Sequence, residues 1–214
     1  MRVNEIFYSI DGEGITAGAP SVFIRLAGCN LKCSYCDTSY ALSFSDGEEK
    51  TISEIIEEIK KYNCKNITLT GGEPLIHKDI DKLICKLVSS DYKVNIETNG
   101  SIDIKPYLLD NVVITMDWKT PTSKEEKRMR YDNLLTLRQG DVLKIVMSDE
   151  DKDYVRNFIR DIEAAATIFL SPVFNKIELS QLAEFTKELY QYNHNIRLQL
   201  QLHKYIWDPQ ERGV

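Results

Sequence analysis

The sequence has little of what marks nucleic-acid-binding, membrane-spanning or disulfide-linked proteins. Its 27 lysine and arginine residues are outnumbered by 33 aspartate and glutamate residues, for a formal net charge of -6, so a basic surface for nucleic acid is not expected. The apolar runs are only strand-sized, so no membrane span is expected. Five cysteines, an odd number, and a start without an apolar signal segment argue against a disulfide framework and predict a cytoplasmic location.

Length and composition predict a single globular domain over residues 1–214. With 43% hydrophobic and 28% charged residues, the chain can bury a full core without covalent staples. Short apolar runs predict strands at residues 22–26, 66–70, 93–97, 112–116, 142–147, 168–170 and 196–202.

Apolar residues at helical spacing lie between most of these strands. Thr51 and Glu54 are spaced as a capping box for one helix, Ser148 is placed to cap another, and Asn175 and Glu178 open a third. This β/α alternation implies a mostly parallel sheet with helices on its outer face. Because the helices are fewer than the strands, the expected fold is a partial, incomplete TIM-like barrel.

Three cysteines, Cys29, Cys33 and Cys36, supply three soft thiolates within one short loop and no obvious fourth. Structural zinc sites and cubane iron–sulfur clusters both normally take four protein ligands. Three thiolates on a cubane would leave one iron open to a small molecule. The alternatives are buried structural cysteines and a zinc site completed by a histidine, for which the chain offers His77, His194 and His203. The remaining cysteines, Cys64 and Cys85, are expected to be small packing residues.

Polar and glycine-rich strings follow almost every predicted strand. They are residues 70–74, 97–100, 117–119, 171–172 and 203–204. The carboxyl ends of parallel strands share one face, and barrel-like α/β folds place their active sites there. Each string alone is most simply a turn. Their joint placement opposite the cysteine loop predicts a catalytic site.

These motifs resemble the radical S-adenosylmethionine superfamily. Cys29, Cys33 and Cys36 match its three-cysteine signature, with Tyr35 as the aromatic residue before the last cysteine, and residues 71–74 match its methionine-binding string. The resemblance implies a 4Fe-4S cluster whose open iron holds S-adenosylmethionine. Reductive cleavage of that cofactor then yields a radical that takes a hydrogen atom from the substrate.

Within the superfamily, the chain resembles the 7-carboxy-7-deazaguanine synthases. Residues 5–14, residues 23–26, the Cys36-Asp37-Thr38 string and the ending at 203–209 carry this resemblance. It implies radical ring contraction of 6-carboxy-5,6,7,8-tetrahydropterin to 7-carboxy-7-deazaguanine with loss of ammonia, on the route to queuosine. It also implies Mg²⁺, an electron donor such as flavodoxin or ferredoxin, and a homodimer.

The resemblance also assigns site residues by matching position. The substrate would contact Ile10, Asp11, Gly12, Glu13, Arg25, Thr70 and His203. S-adenosylmethionine would contact Tyr35, Cys36, Asp37, Gly72, Glu97, Asp117, Trp118 and Lys119. The cluster would bind Cys29, Cys33 and Cys36, and Thr38 would ligate Mg²⁺. No acid or base residue is implied, because the radical comes from the cofactor.

Several of these residues also have ordinary structural interpretations. Arg25 interrupts an apolar strand, which fits either an ion pair or a fork for a carboxylated substrate. Glu97 is also a strand-to-turn signal, and His203 can simply cap the last strand. The chain departs from the family pattern at Asp11, where many members carry glutamine, and at 117–118, where many carry Ser-Pro.

Two competing functions remain open on the sequence alone. A glycyl-radical-enzyme activase uses the same cysteine spacing, but would not need Arg25, Thr38 or Mg²⁺. A non-enzymatic metal-binding module explains the cysteines but leaves the strings at the strand ends without a role. The charged run at 124–130 is expected to be a solvated connection.

Overall fold

One sheet of nine strands organises the computed structural model, which describes residues 1–214. The strands are β1 (Arg2–Ile10), β2 (Pro20–Leu26), β3 (Glu48–Glu49), β4 (Asn66–Gly71), β5 (Lys93–Thr98), β6 (Val112–Trp118), β7 (Val142–Met147), β8 (Thr167–Pro172) and β9 (Ile196–Leu198). Their order in the sheet is β3-β1-β2-β4-β5-β6-β7-β8-β9. Strands β2 and β4 to β9 are parallel, whereas β1 runs antiparallel to β2 and β3. The predicted partial barrel of mostly parallel strands is confirmed.

Six helices accompany the strands, and the predicted caps are confirmed at two of them. The helices are α1 (Ile52–Lys60), α2 (Ile80–Ser89), α3 (Tyr131–Thr136), α4 (Lys152–Asp161), α5 (Leu179–Tyr190) and α6 (His203–Ile206). Thr51 and Glu54 form the capping box of α1. Ser148 and Asp151 form another one at a short 3-10 turn that leads into α4. At α5, Glu178 occupies the N-cap position but makes no side-chain cap hydrogen bond.

The two faces of the sheet differ in chemistry because side chains alternate along each strand. On β4, Ile67 and Leu69 are buried in the apolar core that packs against the helices. Thr68 and Thr70 lie on the opposite face, which we call the inner face. The inner-face residues of β5 to β7 include the polar or charged Asn95, Glu97, Thr115, Asp117 and Lys144, beside the apolar Val113, Val142 and Val146. The fold therefore lines its interior with polar groups.

The turn after β1 and the segment after β9 contact each other without forming a strand ladder. Gln199 donates from its side-chain amide to the Gly14 carbonyl at 2.8 Å and accepts from the Gly14 N–H at 2.7 Å. The Leu202 N–H donates to the Gly12 carbonyl at 3.2 Å. Gly14 itself lies against Thr115 of β6, with φ +69°. The turn thus packs across the inner face.

Some predicted elements are wrong in extent. The strand predicted at 196–202 ends at Leu198, because Gln199 and Gln201 hydrogen-bond through their side chains to the turn after β1. His203 consequently begins α6 and does not cap a strand. Strands β1 and β3 and helices α3 and α6 were not among the predicted elements. No helix in residues 1–214 combines the length and apolarity needed to span a membrane.

Candidate active site

The three-cysteine loop begins where β2 ends. Cys29, Cys33 and Cys36 are half-buried free thiols. The Leu31 N–H points at the Cys29 sulfur at 3.4 Å, and the Asn99 amide lies 3.8 Å from the same atom. Burial raises the pKa of the Cys33 thiol to about 11. The bare thiols are therefore protonated at neutral pH, so binding a metal cluster must release their protons.

The donor set fits a cluster better than a single metal ion. No three histidine, cysteine, aspartate or glutamate side chains in residues 1–214 are grouped around one ion position. Each cysteine of a cubane binds a different iron, so such thiols need not converge on one point. The histidines are committed elsewhere: His77 donates to the Ala27 carbonyl, the His194 ring packs at a tilt against Tyr190, and His203 lies against Gly12. The interpretation as a zinc site with a histidine ligand is not supported.

The glycines after β4 let this strand end approach the cysteine loop closely. A Cβ atom on Gly72 would lie 2.2 Å from the Gly28 carbonyl oxygen, and one on Gly71 would lie 2.1 Å from the Leu26 carbonyl oxygen. The backbone makes use of this approach, because the Glu73 N–H donates to the Gly28 carbonyl at 2.8 Å. The string at 71–74 therefore has a packing reason for its glycines in addition to any contact with a ligand.

Glu73 ties the ends of β4 and β5 together. Its buried carboxylate accepts from the Asn99 N–H at 2.6 Å, the Thr98 hydroxyl at 2.8 Å and the Leu75 N–H at 3.0 Å. Burial raises the pKa of Glu73 to about 7 in spite of these donors. Asn99 in turn reaches both Cys29 and Asn30, so the carboxylate indirectly fixes the base of the cysteine loop.

A charged cluster occupies the centre of the inner face. Lys144 donates to the Glu13 carboxylate and lies 3.7 Å from Asp117. Asp117 accepts from Lys119 at 2.8 Å. The second Glu13 oxygen accepts from the Gln201 amide. Burial disfavours the charge of Lys144, but the neighbouring carboxylates, Glu13 foremost, hold its pKa well above the usual value.

Two further carboxyl groups on this face are tied by hydrogen bonds. Glu97 accepts from the Thr70 hydroxyl at 2.7 Å, and burial raises the pKa of Glu97 to about 7. Asp11 accepts from Thr16 at 2.8 Å and from Thr68 at 2.9 Å. Burial also raises the pKa of Asp11. Asp11 is thus engaged within the fold through its side chain and also through its backbone, because its N–H donates to the Ala19 carbonyl and its carbonyl accepts from the Gly18 N–H, both at 2.8 Å.

Arg25 presents part of its guanidinium fork to the inner face. It pairs through Nε with Glu5 at 2.8 Å, and its guanidinium lies over the rings of Phe7 and Tyr40. Nε is the only Arg25 nitrogen that makes a hydrogen bond within residues 1–214, so the two terminal nitrogens are free to bind a carboxylate. An ion pair with Glu5 and a role in binding a carboxylated substrate are therefore compatible for Arg25.

Asp37 and Thr38 lie directly beyond the last cysteine of the loop. Asp37 pairs with Lys204 at 2.9 Å, and the Thr38 hydroxyl donates to the other Asp37 oxygen at 3.1 Å. Burial opposes ionisation of Asp37, but Lys204 outweighs it and lowers the pKa of this carboxyl below its usual value. His203 precedes this lysine at the start of α6, and burial lowers its pKa.

Comparison with known proteins agrees with this geometry. A family model described as the Radical SAM superfamily matches residues 23–135. The chain is 40% identical to the 7-carboxy-7-deazaguanine synthase of Clostridium acetobutylicum, covering 100% of this chain and 99% of that protein. It is 35% identical to the protein of the same name from Thermoplasma acidophilum, with 97% of each covered. The chain belongs to the 7-carboxy-7-deazaguanine synthase family.

A solved structure shows the same fold. The crystal structure of QueE from Escherichia coli matches with a TM-score of 0.72 at 22% identity, covering 94% of this chain and 93% of that one. As a radical SAM enzyme of the 7-carboxy-7-deazaguanine synthase family, the protein uses a 4Fe-4S cluster and S-adenosylmethionine. The family, the fold and these two cofactors are confirmed. The interpretation as a non-enzymatic metal-binding module is wrong.

The site has a buried atom that suits S-adenosylmethionine. Asp117 Oδ1 is buried and has no hydrogen-bond partner within residues 1–214. It lies at the carboxyl end of β6, on the side chain that also pairs with Lys119. An unpaired buried acceptor is costly unless a ligand supplies a donor. The ammonium and hydroxyl groups of S-adenosylmethionine are donors of this kind.

Two predictions about single residues need correction. The Trp118 side chain is fully buried on the helix side of the sheet, stacked on Phe158 and edge-on to Tyr131, so it cannot contact S-adenosylmethionine. A cofactor contact at this position is limited to the backbone. Cys85 is exposed on α2 and is not a packing residue, whereas Cys64 packs partly against the core as expected.

Two members of the site, Lys144 and Gln201, lie outside every predicted motif, and both hold Glu13. Lys204 lies in the predicted string 203–204, but its pairing with Asp37 was not predicted. A signal existed for Lys144, because it is the one charged residue in the run 142–147, which is otherwise apolar. Tyr35, which was predicted, donates its hydroxyl to the Val146 carbonyl at 3.2 Å and so joins the cysteine loop to β7.

Proposed function

We propose that this protein converts 6-carboxy-5,6,7,8-tetrahydropterin to 7-carboxy-7-deazaguanine, with loss of ammonia. One structural observation carries the proposal beyond the family name. The cysteine loop and a buried, charged inner face meet at the same end of the sheet, where a small polar molecule can be enclosed. The freely available terminal nitrogens of Arg25 suit the carboxylate that distinguishes this pterin.

The substrate contacts proposed here follow the matching positions and the contacts within the fold. Arg25 binds the carboxylate of the pterin, and Thr70 contributes a hydroxyl from the neighbouring strand β4, where it pairs with Arg25 in register. The turn at 10–13, which includes Ile10, Asp11 and Gly12, contacts the pterin ring. Glu13 and His203 contribute side chains, supported by the burial of Glu13 and by the close approach of His203 to Gly12.

The cofactor contacts proposed here lie at the ends of β2, β4, β5 and β6. When bound, the cluster and S-adenosylmethionine supply one-electron chemistry that removes a hydrogen atom from the substrate. Cys29, Cys33 and Cys36 hold the cluster, and the surrounding half-buried loop keeps water away from it. The set proposed to contact S-adenosylmethionine is Tyr35, Cys36, Asp37, Gly72, Glu97, Asp117 and Lys119, with Trp118 restricted to its backbone.

A Mg²⁺ site at Thr38 is also part of the proposal. The Thr38 hydroxyl and the Asp37 carboxylate place two oxygens together, 3.1 Å apart. Hard cations such as Mg²⁺ prefer oxygen ligands and keep several waters. The ion would share the carboxylate of the substrate with Arg25 and offset its charge during the ring contraction.

The domain organisation, oligomeric state, electron donor and cellular location of the enzyme remain predictions. We propose that residues 1–214 form one domain, which the single continuous sheet supports. A homodimer, a flavodoxin or ferredoxin donor, a cytoplasmic location and the absence of nucleic-acid and membrane partners stay predictions from the sequence and the family.

An anaerobic assay of the reconstituted protein tests the proposed function. The mixture contains S-adenosylmethionine, a reductant, Mg²⁺ and 6-carboxytetrahydropterin, and the product is followed by chromatography and mass. We expect about four iron and four sulfide per chain and a deazapurine product. Reductive cleavage of S-adenosylmethionine without any deazapurine would reject the proposed substrate while leaving the radical SAM assignment intact.

A further inference from the structure

Lys144 is a buried cation in a strand that is otherwise apolar. Its neighbours on β7, from Val142 to Met147, are all buried apolar side chains. Lys144 is 8% exposed and points to the inner face, where its Nζ donates to Glu13 and lies 3.7 Å from Asp117. The position thus brings a full positive charge into the centre of the fold.

Packing alone gives no reason for this charge. A buried ion pair loses more hydration energy than a well-packed apolar pair of the same volume, so a gain in stability does not explain why Lys144 and Glu13 are charged. The groups that face Lys144 are Glu13 from the turn after β1, Asp117 from β6 and Glu97 from β5, with His203 and Lys119 further off. A recognition role accounts for a charge that packing does not require.

Both partners keep free hydrogen-bonding capacity. The ammonium of Lys144 has three N–H donors, of which Glu13 takes one, and Asp117 is beyond hydrogen-bond distance. Glu13 receives one donor on each carboxylate oxygen, from Lys144 and from Gln201. Each carboxylate oxygen can accept a second hydrogen bond. The pair therefore presents a donor beside an acceptor.

We propose that Lys144 and Glu13 together recognise the edge of the pterin ring that carries the 4-oxo and 2-amino groups, with Lys144 as a specificity-determining residue. Lys144 donates to the 4-oxo oxygen, and Glu13 accepts from the N3–H and the 2-amino group. This inference rests on the proposed function, because it assumes a pterin in the site. It adds a residue from β7 that the family motifs do not include.

The donor and acceptor pattern gives the pair its discrimination. A pterin shows an acceptor at position 4 and donors at N3 and the 2-amino group, which complements an ammonium beside a carboxylate. A lumazine has an oxo group in place of the 2-amino group, so it would turn an acceptor toward Glu13. A site that leaves a buried polar group unpaired against the wrong ligand rejects that ligand strongly.

Equilibrium binding of two stable ligands to the reconstituted full chain tests this proposal. The ligands are 6-carboxypterin and 6-carboxylumazine, and binding is followed by ligand fluorescence. For Lys144→Met we expect the Kd of 6-carboxypterin to rise about tenfold or more, since a charged hydrogen bond is lost. Lys144→Arg should recover part of that loss. Lys93→Met is the matched control, because Lys93 is an exposed lysine of the parallel strand β5. This variant should bind 6-carboxypterin with the same Kd as the wild type.

The second arm changes the acceptor. Glu13→Gln can both donate and accept, so it should narrow the preference for 6-carboxypterin over 6-carboxylumazine by about tenfold. This ratio is measured on one folded protein and therefore decides the matter even if Lys144→Met fails to fold. An unchanged ligand preference in Glu13→Gln, or an unchanged Kd in folded Lys144→Met, would overturn the proposal. Turnover by the wild type tests the proposed function separately, because neither binding arm depends on it.

Discussion

At the scale of single residues, the site is dominated by carboxyl groups that are buried among few cations. Burial raises the pKa of both Glu73 and Glu97 to about 7, although each carboxyl group accepts hydrogen bonds. Glu13 and Asp37 show the opposite outcome, because a lysine pairs with each one and lowers its pKa, although Glu13 is buried and the Asp37 side chain is 44% exposed. The protonation state of each acid thus depends on whether a lysine pairs with it directly.

The raised pKa of Glu97 predicts a stability that depends on pH. In the folded state this carboxyl titrates at about 7, against an ordinary value of 4.5. Between these values the folded protein binds more protons than the unfolded chain, so the free energy of unfolding falls as pH rises and levels off above about pH 7. Glu97→Gln keeps an acceptor for Thr70 and removes this titration. Its free energy of unfolding should therefore fall less than that of the wild type as pH rises, and the difference between the two should be at most about 3 kcal/mol.

Chemical unfolding of the wild type and Glu97→Gln from about pH 5 to about pH 8 measures this difference. The two stabilities should differ in their slope with pH, and the variant should gain relative to the wild type at the alkaline end. Parallel curves would show that the Glu97 carboxyl titrates in the folded protein as it does in the unfolded chain.

Arg25 offers the clearest separation of binding from structure. Arg25→Ala removes the free terminal nitrogens as well as the pair with Glu5. A charged hydrogen bond contributes about 1.5–3 kcal/mol, so kcat/KM should fall by about 10- to 100-fold or more, while iron content is kept. Arg2→Ala, an exposed arginine on the adjacent strand β1, should leave both quantities unchanged. Loss of the cluster in Arg25→Ala would instead assign Arg25 a structural role.

At the scale of elements, buried strands were predicted best and strands shaped by distant contacts were predicted worst. The run 142–147 was predicted with correct bounds because all six of its residues are buried and the apolar pattern is nearly unbroken. The run 196–202 alternates like a strand, but its glutamines bond to a turn far away in the sequence. β1 alternates too weakly in burial, with exposed Tyr8 and half-buried Asn4 and Glu5 among its residues, to stand out as an apolar run.

The junction between the end of β4 and the cysteine loop makes a sharp prediction at this scale. Gly72→Ala would bring a methyl group within 2.2 Å of the Gly28 carbonyl oxygen, which is backbone and cannot swing away. The cysteine loop must therefore shift, and we expect a destabilisation of about 1–3 kcal/mol together with reduced iron content. Gly140→Ala is the control, because a Cβ there meets nothing within 4 Å. Full iron content and unchanged stability in Gly72→Ala would mean that the loop accommodates the methyl group without displacement.

At the scale of the whole molecule, the inner face is enclosed by contacts between the two ends of the chain. Gly14 and Gln199 hydrogen-bond to each other although they are 185 positions apart. No local pattern reports such a pairing, which is why the sequence motifs predicted the cysteine loop and the strand-end strings but not Gln201 or Lys144. Motifs reveal residues that share a loop, whereas the charged cluster depends on how β7, the turn after β1 and the segment after β9 meet.

The segment 203–214 is the last part of this enclosure, and its removal should separate cofactor binding from substrate binding. His203 lies against Gly12, Lys204 pairs with Asp37, and the Arg212 guanidinium lies 3.8 Å from the centre of the Tyr40 ring. All nine strands precede this segment, since β9 ends at Leu198.

A chain ending at Leu202 should therefore fold and keep about four iron, but the site is left open to water and Asp37 loses its cation. We expect the Kd of 6-carboxypterin to rise about tenfold or more and turnover to be lost. Lys204→Ala, which removes the ion pair with Asp37 and the contact of the ammonium with the Phe174 ring but keeps the rest of the segment, should show a smaller loss of binding. If the shortened chain turned over its substrate at the wild-type rate, the strands and the cysteine loop alone would be sufficient for catalysis.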